Sequence, residues 1–177
     1  MPKKYDPSIH HRRSIRIPGY DYSQDGWYFV TICTQNRKCL FGEITHAKIQ
    51  LYEYGRIVEE YWKWLARQFK DVYLDEYVVM PNHLHGIIII RRGGSRTAPT
   101  PKTPECNKPL GRIIGAFKTV STKRINIIRK TPASTLWQRN YYEHIIRNED
   151  ELNRFRRYIT DNPANWQTDE ENPYANS

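Results

Sequence analysis

Two short runs, GWYFVTICT at 26–34 and HLHGIIII at 83–90, set the tightest limit on how this chain can fold. Both are dense in aromatic and β-branched residues, which suit a pleated, packed surface, so both read as strands. Neither approaches the length of a membrane span. Between and after them the periodicity changes. Val58, Tyr61, Trp62, Leu65 and Phe69 recur at helical spacing and predict a helix over 53–69, and Leu110, Ile113, Ile114 and Phe117 predict another over 110–129. Residues 72–80 read as a strand that turns at Pro81-Asn82 into 83–90. After a turn at Gln35-Asn36-Arg37, residues 39–44 are expected to pair back on the first strand, with a short strand near Ile49. A further strand is expected over 136–146. Asn148 can cap a final helix, with Glu149, Asp150 and Glu151 in its electropositive first turn and Pro163 as its boundary. Hairpins and helices mixed in this order predict an α+β fold, a single domain with a ferredoxin-like antiparallel sheet and helices packed on one face.

A chain of 177 residues has room for one domain with a real core. Its 28 Lys and Arg against 19 Asp and Glu leave a formal charge of +9, which favours a polyanionic partner, nucleic acid before membrane. Residues 91–130 carry eleven of the basic residues and one acid, Glu105. Residues 1–24 read as a basic arm, 25–166 as the domain, 91–109 as a mobile basic loop rich in Gly, Pro, Ser and Thr, and 167–177 as a tail. Thirteen Tyr, five Trp and five Phe interleave with the basic residues, a mixture suited to unpaired bases, although most of these rings are expected in the core. Three cysteines, Cys33, Cys39 and Cys106, show neither paired nor metal-type spacing. With no apolar signal segment, they predict reduced thiols and a cytoplasmic location.

The chemistry concentrates in two places. On a strand, residues i and i+2 share a face, so His83 and His85 project together and offer two nitrogens to a divalent metal. By itself the pair reads more readily as a solvated strand end. On the final helix, at ~100° per residue, Tyr158 and Asn162 share one line on the flank of the stripe made by Leu152, Phe155 and Ile159. A hydroxyl nucleophile and an oxygen ligand beside two imidazoles would make one site. Spacing alone favours plainer roles, a half-buried core tyrosine and a helix C-cap before Pro163.

PNHLHGII followed by WQRNYYEHIIRNEDELNRFRRYITDNP closely resembles the single-tyrosine HUH transposases, and within them the REP-associated tyrosine transposases. The resemblance runs from about Tyr20 to Trp166. It implies metal-binding roles for His83 and His85, a nucleophilic role for Tyr158, and a third metal ligand at Asn162. It also implies a Mg²⁺ or Mn²⁺ cofactor and metal-dependent cleavage and strand transfer of single-stranded or hairpin DNA through a 5′-phosphotyrosine intermediate. Lys118, Lys123 and Arg124 on the basic helix, Trp137 and Arg139 at the head of the second block, His144 within it, and Arg154 one turn before Tyr158 are the expected DNA contacts. Family members include monomers and dimers, so a homodimer is open; no membrane partner is expected. Two other readings stand beside this one: a catalytically silent module that binds DNA or RNA hairpins, and a nuclease that uses water in place of Tyr158.

Overall fold

The computed structural model describes residues 20–22, 24–91 and 109–175. The expected basic arm (save for its last residues) and the loop between Arg91 and Pro109 lie outside the described residues. Among the described residues, six strands and three α-helices follow in chain order: β1 (Gly26–Cys33), β2 (Gly42–Thr45), β3 (Lys48–Leu51), α1 (Glu53–Gln68), β4 (Val72–Val79), β5 (His83–Ile90), α2 (Leu110–Ile128), β6 (Tyr142–Ile146) and α3 (Glu149–Asp161). The main sheet has the order β4-β5-β1-β6, antiparallel throughout. With β1, α1, β4, β5, α2 and β6 in sequence, this is the ferredoxin-like α+β fold expected from the sequence.

Strand alternation divides the core in two. Tyr28, Val30 and Ile32 of β1 and Leu84 and Ile88 of β5 point to one face, where they pack with Val58, Trp62 and Leu65 of α1 and Ile113, Ile114 and Phe117 of α2. A Cβ on Gly86 would sit 2.4 Å from the Trp62 ring, so the missing side chain is what lets α1 close on β5. The opposite face carries Phe29 and Ile87, which pack with Ile146 and with Leu152 and Ile159 of α3. One-sided helix packing therefore holds for α1 and α2, while α3 covers the other face.

Two expected pairings differ. The segment after the Gln35–Arg37 turn does not return along β1. Instead β2 pairs with β3 as a separate hairpin, around His46 and Ala47 at φ 51° and 59°, the left-handed pair that a tight primed turn requires. Both edges of β1 are already taken by β5 and β6, because β1 is buried on both faces and needs covered neighbours. The strand expected over 136–146 shortens to Tyr142–Ile146. Leu136 and Trp137 enter the core, with one bridge from Trp137 to Thr34, and the carbonyls of Gln138 and Asn140 accept from Lys118 Nζ at 2.8 and 2.9 Å rather than from a strand ladder.

α3 begins as expected, with Asn148 Oδ1 accepting from the Glu151 N–H at 2.8 Å. It is tied to β4 by Arg156, whose guanidinium donates to both oxygens of Asp75 at 2.8 and 2.6 Å. The residues after it are not a loose tail. A 3₁₀ turn at Trp166–Thr168 brings Asp169 and Asn172 into buried positions. Arg37 donates to the Glu170 carbonyl and pairs with the Glu171 carboxylate, and Asn82 Nδ2 donates to the Glu171 carbonyl.

Candidate active site

His83 and His85 open β5 and are buried, at 0% and 2% exposure, so they are no solvated strand end. Each ring is gripped at Nδ1. Asn82 uses its Nδ2 to donate to the carbonyls of Arg37 and Glu171, which turns its Oδ1 toward His83 Nδ1 at 2.8 Å. An amide oxygen only accepts, so His83 carries its proton on Nδ1 and presents a lone pair at Nε2. Thr31 Oγ1, across the β1–β5 ladder, lies 2.8 Å from His85 Nδ1. The two Nε2 atoms therefore face each other at 2.9 Å. At that separation one of them must carry a proton or both must share a cation.

The surroundings suit a cation. Asp169 Oδ2 lies 3.9 Å from His83 Nε2. His83, His85 and Asp169 each offer a ligand atom within 4.8 Å of the others, and all three are buried. Asp169 Oδ2 and Asn162 Oδ1 are both buried without a hydrogen-bond partner. An unsatisfied buried oxygen costs about 1–3 kcal/mol, so Asp169 Oδ2 beside facing imidazole nitrogens fits a divalent ion better than it fits a solely structural cluster. Burial, reinforced by the Arg37 charge, pushes the His83 pKa down to about 3. Burial and His83 push His85 the same way, against Asp169. Both rings are thus neutral at pH 7, the form that binds metal.

Tyr158 stands at the open side of this cluster. It is 46% exposed, and its hydroxyl lies 3.4 Å from His85 Nε2. Its ring packs edge-on against Phe29, at 5.8 Å between centroids. Partial burial pushes the phenol pKa up to about 12, with Asp169 and Glu170 adding to the rise and a hydrogen bond from the Asn162 side chain working against it. Asn162 is the last residue in helical geometry before Pro163 and is buried at 3%. Asn162, one helical turn on from Tyr158, carries an unpartnered Oδ1, while Tyr158 on the same line of α3 reaches His85.

The remaining sequence-selected residues separate into groups. Arg154 lines the cleft beside Tyr158, its guanidinium exposed and lightly tied to Glu151 at 3.3 Å. His144 is half-buried, with Nε2 2.7 Å from Glu151 Oε1 and its ring 5.0 Å from Phe155. Trp137 is buried between Phe41 and Phe117 and donates from Nε1 to Ser121 Oγ, an arrangement that leaves no face for a base. Lys118 directs its ammonium at three backbone carbonyls, those of Gln138, Arg139 and Asn140, so it organises that segment. Lys123 and Arg124 are exposed on α2, the helix on the face opposite the site, and Arg139 is exposed in the segment that Lys118 holds. Asp169 was absent from the expected site. It lies beyond a proline and a 3₁₀ turn, where no periodicity relates it to the histidines; the acidic run Asp169-Glu170-Glu171 in a basic chain was the available signal.

No protein-family model matches the chain. An uncharacterized protein of Haemophilus influenzae is 39% identical over 178 residues, covering 96% of this chain and 98% of that protein. The chain belongs to that protein's family. Among solved structures, a REP-associated tyrosine transposase bound to a REP hairpin superposes with a TM-score of 0.60 at 18% identity, over 86% of this chain and 73% of that one. The likeness to REP-associated tyrosine transposases drawn from HLH and the C-terminal block is thus met by the fold. Among the described residues, no helix is long and apolar enough to cross a membrane.

Proposed function

We propose that this protein is a transposase-type DNA strand transferase that cuts and rejoins single-stranded DNA through Tyr158, using Mg²⁺ or Mn²⁺ held by His83, His85, Asn162 and Asp169. The observation that carries the reading is the Tyr158 hydroxyl 3.4 Å from His85 Nε2, at the edge of the buried His83, His85 and Asp169 set in which Asp169 Oδ2 is unpartnered. The fold shared with a transposase solved on a hairpin supports DNA, and hairpin DNA in particular, as the partner. The nine-charge excess of base over acid agrees with it.

Tyr158 Oη attacks the scissile phosphorus as it loses its proton. The bond from phosphorus to the 3′ oxygen breaks, and that oxygen leaves as a 3′-hydroxyl once protonated. The product is a 5′-phosphotyrosine, whose ester keeps the energy needed for rejoining when a second 3′-hydroxyl attacks. A phenol with a pKa near 12 is a weak nucleophile at pH 7. A bound divalent ion supplies Lewis-acid polarisation of the phosphate and favours ionisation nearby. The chain's own part is positional: Asn82 and Thr31 lock the two rings, and the Arg156–Asp75 pair fixes α3, hence Tyr158, against β4.

Incubation with hairpin oligonucleotides and Mn²⁺ or Mg²⁺, resolved on a denaturing gel, tests this. Wild type should give a metal-dependent covalent adduct that Tyr158→Phe lacks. An equal adduct from both proteins removes Tyr158 as the nucleophile. Cleavage that survives Tyr158→Phe but is lost in His83→Ala would indicate attack by water.

A further inference from the structure

Beside Tyr158 lies a cleft of about 490 Å³, within the ~300–1,000 Å³ range of small-molecule sites. Its lining joins Phe29, Tyr142, Arg154 and Phe155 to His85, Tyr158 and the acidic residues 169–171 of the site already described. Phe29 and Phe155 stack at 4.4 Å and 21° and form an apolar floor that is already packed. Tyr142 is different. It stands on β6 directly opposite Thr31, edge-on to Phe29 at 6.3 Å, and keeps 52% of its surface exposed. An exposed aromatic ring on a rigid strand, facing a cleft that a nucleophile also faces, is poorly explained by core packing. Arg154 stands over Phe155 at 5.5 Å on the same rim, with an exposed guanidinium.

We propose that this cleft receives the unpaired base of a nucleotide next to the scissile phosphate, with Tyr142 as its stacking surface and Arg154 meeting the adjoining phosphate. Base binding rests on the cleft itself, and only its place next to the scissile phosphate rests on the strand-transfer reading. Every base has a π-face, so the apolar floor and Tyr142 accept any base, and they require it to be unstacked from its neighbours. Tyr142 is then a positioning residue: it holds the strand so that the phosphate reaches Tyr158.

The test uses single-stranded hairpin oligonucleotides carrying 2-aminopurine, or an abasic residue, at successive positions. With wild type, 2-aminopurine fluorescence should be quenched at one position. Tyr142→Ala should lose that quench and weaken binding about tenfold, while Tyr142→Phe keeps both. An abasic residue at that position should cost wild type the same factor and cost Tyr142→Ala nothing more. Equal quenching in wild type and Tyr142→Ala, or an abasic penalty unchanged in the variant, overturns the cleft assignment. The covalent adduct is scored on the same samples. Quenching without adduct sinks the strand-transfer reading and leaves the base cleft standing; adduct without position-specific quenching does the reverse.

Discussion

His83 and His85 meet through their Nε2 atoms at 2.9 Å, while Asn82 and Thr31 hold the opposite nitrogens from behind. The pair is thus oriented inward by its own sheet. With Asp169 beside them, the cluster should respond to metal without any DNA present. Mn²⁺ at about a hundredfold excess over its Kd is expected to raise the Tm by roughly 5–10 °C. His85→Ala should abolish the shift and Asp169→Asn should move its midpoint to higher concentration. Thr31→Val, which removes only the support behind His85, should weaken Mn²⁺ binding by about 10–100-fold in a calorimetric titration. A full shift in His85→Ala would place the ion elsewhere.

The Gly86 backbone touches Trp62 so closely that a methyl group has no room, and the neighbour is a fully buried indole, not a flexible chain end. Gly86→Ala should therefore destabilise by about 1–3 kcal/mol, lowering the Tm by roughly 2–12 °C. Because Gly86 follows His85, the variant should also lose part of the Mn²⁺ shift. Thermal unfolding with and without Mn²⁺ measures both; an unchanged Tm would mean that α1 does not press on β5 as described.

Asp75 and Arg156 anchor α3 to the irregular stretch of β4. The Arg156 guanidinium, through its hydrogen bonds, holds the Asp75 carboxyl below its ordinary 3.8. A carboxylate whose pKa is lower folded than unfolded adds stability that is complete above the unfolded value and is lost as pH falls through the folded one. Arg156 is partly exposed, so solvent screening limits the effect. Asp75→Asn should lower the Tm by about 2–4 °C at pH 7, and the gap to wild type should narrow as the pH falls below 3.8. Melting curves across pH decide it; a gap that widens in acid would contradict the pairing.

Lys118 lies on a basic helix yet turns inward. Burial pushes its pKa down to about 8, while three carbonyls accept from the ammonium. Lys118→Ala should lower the Tm and leave the salt dependence of single-stranded DNA binding unchanged. An exposed phosphate contact would instead remove about 0.7 from the slope of log K against log salt. A reduced slope in Lys118→Ala would return it to the DNA interface.

Much of this protein was legible locally. The aromatic and β-branched runs determined β1 and β5, the 3.6-residue spacing determined α1 and α2, and Asn148 with its three following acids determined the start of α3. The same periodicities put His83 with His85 on one strand face and Tyr158 with Asn162 on one helix line, because those relations lie within single elements. What tertiary structure decided were relations between elements. It placed β2 on β3 rather than on β1, sent α3 to the face opposite α1 and α2, buried Trp137, and turned Lys118 onto backbone carbonyls. It also brought Asp169 to the histidines through a proline and a 3₁₀ turn. Periodicity reports which way a side chain faces on its own element; which partner fills the space in front of it depends on how distant segments compete to bury surface and satisfy polar atoms.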